Sequence, residues 1–169
     1  MSSEVPSIGL NGPIDLDDQQ LARICTSQRW QQYMKQAMPV AGGQDLLRAA
    51  EHAFGQLEEA DWLEAFAGHP MIGDLASLEK KYAQGKALSE QEQGQVKQAS
   101  AEVLQELLTL NQHYRDKFGF IFIVCASNKS ADEMLGLLKA RIDRSRAQEL
   151  QQAATEQQKI SHIRMEVYL

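Results

Sequence analysis

The sequence is short of almost every feature that would make its chemistry obvious. It has only two cysteines, Cys25 and Cys125, far apart and outside any C-x-x-C or zinc-ligand pattern. That excludes a disulfide scaffold and a cysteine-based zinc site, and the two are read as reduced thiols of a cytoplasmic protein. Long hydrophobic runs are missing too. The longest, residues 118–126, has nine residues, where a bilayer-spanning helix needs about 20. No basic segment leads into an apolar one at the start, so no secretory signal is expected. Positive charge is scarce: 17 Lys and Arg stand against 23 Asp and Glu, a formal charge of −6. A nucleic-acid-binding protein would usually carry a basic stripe, so that class is set aside. A small anionic substrate needs only one local cation and stays open. Proline is rare as well, with four in 169 residues, and one of them, Pro70, directly follows a histidine.

What remains is helix-forming sequence. Apolar residues make up 43% of the chain, and a domain of this length buries roughly 70% of its unfolded surface, so it needs no staple. Residues 1–13, which contain Ser, Gly and Pro, are expected to form a disordered tail, and residues 14–169 one domain. "DLDDQQLARIC" runs from acids into Leu21, Ile24 and Cys25. Ser27 is placed to cap a helix carrying Trp30, Met34 and Met38, which Pro39 closes. "GQDLLRAAEHAFGQL" and "EADWLEAF" follow. From Ser89 to Tyr114, Val96, Ala99, Val103, Leu107 and Leu110 recur at helical spacing, widened by Leu104 and Leu108. Ser130 and Glu133 have capping-box spacing before a helix that buries Leu135, Leu138 and Ile142. The last helix carries Ala153, Ile160, Ile163 and Val167, and the Gln-rich stretches are read as solvated faces. The expected fold is therefore an all-α, single-domain bundle of about eight helices. One extended loop segment interrupts it near residues 118–128, where "FGFIFIVCASN" is β-branched and aromatic. A lone extended segment has no ladder partner, so its peptide groups must bond elsewhere, and a ligand is one possibility.

Of the four histidines, His52, His113 and His162 sit among polar neighbours in helical patterns and read as surface residues. His69 differs. In "EAFAGHPMIGDL", Pro70 pushes it out of helical geometry, so a helix should stop near Gly68 and the ring project from a stiff corner. Composition alone favours a helix-end cap there, worth under about 1 kcal/mol. The alternative is a titratable group held against a ligand. Ser89 and Glu92 in "LSEQEQ" also have capping-box spacing, a sufficient reason for both, since losing a cap costs about 0.5–2 kcal/mol. The same helix start could instead face a pocket, where a carboxylate orients an imidazole and free amides bind an anion. Arg164 borders the apolar face of the last helix. It suits either a dipole partner or a planar fork gripping a carboxylate.

Taken together and in order, "GHPMIGD", "LS-x-x-EQ", "KFGFIFIVCASNKSADEML" and "EQQKISHIRM" resemble one family. It is the decarboxylase of 2-oxo-4-hydroxy-4-carboxy-5-ureidoimidazoline (OHCU), the last enzyme of the uricase pathway. The similarity runs from about Ser27–Trp30 to the end, and the block over residues 117–135 is its most specific part. It implies an all-helical, usually homodimeric carboxy-lyase of purine metabolism, free of cofactor and metal, that makes (S)-allantoin and carbon dioxide from a small ureide. It also implies site residues: His69 as catalytic acid/base with Glu92 as its partner, and Pro70, Ser89 and Gln93 lining the substrate. Backbone groups of Phe122, Ile123, Val124, Cys125 and Ala126 would meet the ureido and ring polar atoms. The arginine of the last helix corresponds to Arg164. The chain departs from the family at its end, where "RMEVYL" replaces a leucine-rich continuation.

Two other readings compete. A non-catalytic helical interaction module would keep every cap as a cap and use "FGFIFIV" as a docking segment. A ring-hydrolysing ureide enzyme would need an activated water, normally on a metal, and the sequence has no metal-ligand spacing.

Overall fold

The computed structural model describes residues 12–71, 76–78, 80, 82, 101–125 and 129–169. Among these the chain is all-α. The helices include α1 (Asp18–Ile24), α2 (Gln28–Ala37), α3 (Gly43–Gly55), α4 (Glu59–Ala67), α5 (Ala101–Phe118), α6 (Ala131–Ile142) and α7 (Arg146–Met165), a 3-10 turn (Glu166–Tyr168) follows, and residues 76–78, 80 and 82 are helical as well. The only pairing of extended backbone among the described residues is one antiparallel bridge, Ile14 with Val40, whose amides and carbonyls exchange two bonds of 2.8 Å. The tail expected over residues 1–13 lies almost wholly outside the described residues, and so does the start of the helix expected from Ser89. No described helix is long and apolar enough to cross a membrane.

The chain divides into two compact units, Met1–His69 with Ala154–Leu169, and Pro70–Ala153. In the first, α1–α4 and the second half of α7 share a core of Leu21, Ile24, Trp30, Met34, Leu46, Phe54 and Met165. Each large apolar side chain buried in this way contributes roughly 1.5–3 kcal/mol. Aromatic rings run through it: Trp30 and Phe54 lie 5.2 Å apart, and Phe54 stacks on Trp62 at 5.5 Å. Local chemistry sets the helix ends. Asp17 and Gln20 form a reciprocal capping box at α1. Ser27, as expected, caps α2 by accepting from the Trp30 amide at 3.3 Å.

In the second unit α5 packs against α6, over Leu104, Leu107, Tyr114, Phe118, Leu135 and Leu138. α5 stops at Gly119, whose φ of +83° turns the chain into the left-handed region. The extended segment appears where the sequence places it: residues 121–125 have no regular secondary structure. The Ser130–Glu133 capping box starts α6 with two bonds of 3.1 Å. Below it lies a cluster that the apolar periodicity does not reveal. Glu149, fully buried, accepts from Arg141 Nε at 2.7 Å, from Arg144 Nη1 at 3.0 Å and from the Tyr114 hydroxyl. Burial, with Glu149 beside it, pushes the Tyr114 phenol well above its ordinary range, so it stays a donor.

The last helix corrects the sequence reading. Ile163 is 42% exposed and Val167 80%, so they do not form its inward face. The buried residues are instead Glu149, Ala153, Glu156, Gln157, Ser161 and Met165. Five of these recur every fourth position, 149 to 165. That stripe is mostly polar because its neighbours offer it an arginine, an imidazole and the bare carbonyls of a helix end, which apolar side chains could not satisfy.

Candidate active site

The corner at His69 is built by α4 and the segment after α1. Thr26 donates through Oγ1 to the carbonyls of Glu64 at 3.1 Å and Ala65 at 3.2 Å in the last turn of α4, the second of which also accepts the Gly68 amide. Glu64 in turn accepts the Gln28 amide at 2.9 Å, at the start of α2. Gly68 caps α4, and the His69 amide reaches back to the Phe66 carbonyl at 3.1 Å. The helix therefore ends where Pro70 demands it.

His69 is half-buried, and its Nε2 lies 2.5 Å from Oε1 of Gln157, 88 positions away. Gln157 is 1% exposed, which overturns the reading of the Gln-rich stretches as wholly solvated. Its Nε2 donates to Ser161 Oγ at 3.0 Å, and Ser161 donates to the Ile24 carbonyl at 3.0 Å. Arg164 reaches the same end of α1, donating through Nη1 to Ile24 at 3.2 Å and Arg23 at 3.3 Å. Its charge complements the negative end of that helix, where the sequence reading set it against the carboxyl end of its own helix.

Burial holds the His69 imidazole below its ordinary value of 6.5. The bond to Gln157 opposes this shift, and the positive charge of Arg164 adds to it. At neutral pH the ring is accordingly uncharged and able to take a proton. The neighbouring Cys25 thiol is pushed up to about 11 by burial and is inert as a nucleophile.

Two of the residues singled out from the sequence, His69 and Arg164, are thus brought together. Pro70 directly follows His69 and is exposed. In the second unit, the Ile123 carbonyl is already taken: Arg141 Nη1 donates to it at 2.7 Å, with the guanidinium 4.5 Å from the Phe122 ring. The Cys125 carbonyl accepts from Lys129 at 2.9 Å. The carbonyls of Ile123 and Cys125 therefore find partners within the chain, where the sequence left a ligand as one possibility. Ser89, Glu92, Gln93 and Ala126 lie outside the described residues. Gln157 and Ser161 were missed. The available signal was their register with Ala153 and Met165 at spacings of four, a small and an apolar residue that mark the inward face.

A groove of about 810 Å³ runs along α3 and α7, lined among others by Leu47, Phe54, Lys159, His162 and Ile163. Neither His69 nor Gln157 lines it, so its size does not mark it as the site of the imidazole chemistry. No group of three or more potential metal ligands occurs among the described residues.

The described residues thus combine all-α architecture with an uncharged imidazole held at a helix end, within the electrostatic reach of an arginine. The chain belongs to the OHCU decarboxylase family, whose model matches residues 16–166. It is 39% identical over 143 residues to the uric acid degradation bifunctional protein TTL of Arabidopsis thaliana, covering 83% of this chain and 44% of that protein. A uric acid degradation bifunctional protein of Bacillus subtilis is 28% identical over 127 residues, covering 75% and 25%. The chain thus spans less than half the length of these two relatives. A crystal structure of OHCU decarboxylase in the presence of (S)-allantoin superimposes with a TM-score of 0.72 at 34% identity, covering 90% of this chain and 99% of that one.

Proposed function

We propose that the protein is a carboxy-lyase that converts OHCU to (S)-allantoin and carbon dioxide in urate degradation. The observation that carries this reading is the His69 arrangement in a chain of this family: an uncharged ring anchored by Gln157, with Arg164 close enough to influence it. The substrate supplies its own electron sink. When the bond to the carboxylate breaks, its electron pair passes to the adjacent ring imine, so no cofactor has to accept it. The protein must hold the carboxylate out of the ring plane and deliver a proton to one face, since the product is chiral. His69 is the acid/base group that manages that proton, and Glu92 keeps it oriented. General acid–base help of this kind gives about 10²–10⁴-fold. Arg164 offers a planar donor fork to the substrate's anionic groups. Pro70, Ser89 and Gln93 line the substrate, and peptide groups of Phe122, Val124 and Ala126, together with the Ile123 and Cys125 amides, bond its ureido and ring atoms.

The reading includes a cytoplasmic homodimer. The cysteines are free, as a reducing compartment would keep them, and light scattering on the purified chain tests the dimer. The activity is tested by generating the substrate in place with uricase and the upstream hydrolase, then following optically active allantoin by circular dichroism. The protein should speed its appearance, and a rate equal to buffer would remove the enzyme reading.

A further inference from the structure

We propose that Gln157 is a positioning residue that fixes His69 as the Nε2–H tautomer, so that Nδ1 is the nitrogen that exchanges protons with the substrate. The inference deepens the proposed function and rests on His69 being its acid/base group.

The direction of the bonds decides the tautomer. The chain of contacts runs from His69 Nε2 to Gln157 Oε1, from Gln157 Nε2 to Ser161 Oγ, and from Ser161 Oγ to the Ile24 carbonyl. A carbonyl can only accept, so the single hydroxyl proton of Ser161 points at Ile24. Ser161 must then accept from Gln157, which turns the amide NH₂ towards Ser161 and the amide oxygen towards the imidazole. Facing an acceptor, Nε2 must carry the proton. Reversing the amide would ask the one Ser161 proton to serve two oxygens, and if it turned to Gln157 the Ile24 carbonyl would keep only the longer bond from Arg164 Nη1. Gln157 and Ser161 are 1% and 0% exposed, so water does not replace the lost bond.

This arrangement suits a ring that cycles between neutral and charged forms. Nε2 bears a proton in both, so the bond to Gln157 persists and the ring need not turn when Nδ1 gains or loses its proton. An amide also orients the ring without the full negative charge by which a carboxylate would favour the imidazolium. Arg164 is the charged group that acts on the ring, and it opposes protonation.

The test is long-range proton–nitrogen NMR on the full chain labelled at histidine nitrogen, above the titration of the imidazole and without substrate. The wild type should show His69 wholly as the Nε2–H form, with that proton exchanging slowly. In Gln157→Leu the protection should vanish and the second tautomer appear. An Nδ1–H ring in the wild type, or the same spectrum in the variant, would overturn the assignment. Gln157→Glu keeps an acceptor of nearly the same shape and covers the case in which the leucine variant does not fold. It should retain the Nε2–H form and raise the titration midpoint of His69, and an unchanged midpoint would also overturn the assignment. In the coupled assay Gln157→Leu should lower kcat about tenfold, the rate equivalent of one net hydrogen bond, with KM little changed. Because the spectra need no substrate, a wild type that shows the protected Nε2–H but no catalysis would sink the decarboxylase reading and leave the tautomer standing.

Discussion

Gly68 and Thr26 touch in a way that forbids a side chain at the glycine. A Cβ on Gly68 would lie 2.7 Å from Thr26 Cβ, an atom no rotamer change can move. The φ of Gly68 is −75°, ordinary for any residue, so the glycine is required for close approach. The contact seats the Thr26 hydroxyl on the last turn of α4, which leads into the imidazole that the site depends on.

Gly68→Ala should therefore destabilise the protein by about 1–3 kcal/mol, the usual cost of overpacking. Thermal unfolding would register a lower Tm. Because His69 is the next residue, the variant should also disturb the His69 ring resonance; an unperturbed Tm would show that the corner has room.

The buried pair in the second unit leads to another outcome. Arg141→Met removes one partner of Glu149 and frees the Ile123 carbonyl. Arg144 still reaches Glu149, so the loss should sit at the low end for a broken buried pair, about 3 kcal/mol. Urea unfolding measures it. The double variant Arg141→Met with Glu149→Leu should recover only part of the loss, since the Tyr114 hydroxyl and the Ile123 carbonyl lose partners as well.

The depressed pKa of His69 sets a pH dependence of stability. Unfolded, the ring titrates near 6.5; folded, burial keeps it neutral to lower pH. Between the folded value and 6.5 the unfolded chain binds more protons, so stability rises with pH across that window and falls as the solution is acidified through it. The difference in urea midpoint between wild type and His69→Asn, followed from about pH 7.5 to about pH 5, should move against the wild type on acidification. A difference that stays constant would show that the ring is not held neutral by its surroundings.

How much of this could be read from the chain depends on the distance over which each feature is decided. Capping at Ser27 and Ser130, the stop at Gly68–His69–Pro70 and the extended segment after Gly119 are set by residues within about one helical turn, so spacing alone revealed them. The all-α class followed from apolar periodicity. The orientation of α7 did not, because its apolar Ile163, and Val167 in the turn that follows it, face solvent while Glu149, Gln157 and Ser161 are buried. Those three are inward only because Arg141, His69 and the end of α1 meet them there, and partners up to 137 positions away leave no local mark. His69 was legible through its proline. The residue that holds it was not, because one glutamine among many in the sequence carries no sign of its burial.

The most direct measurement compares wild type and His69→Asn in the coupled uricase and hydrolase assay, following optically active allantoin by circular dichroism at equal protein concentration and confirmed folding. The account predicts that the wild type accelerates the signal far above buffer and that the variant is slower by at least about 100-fold, the lower end of general acid–base help. A variant as fast as the wild type, with both above buffer, would contradict the role given to the imidazole.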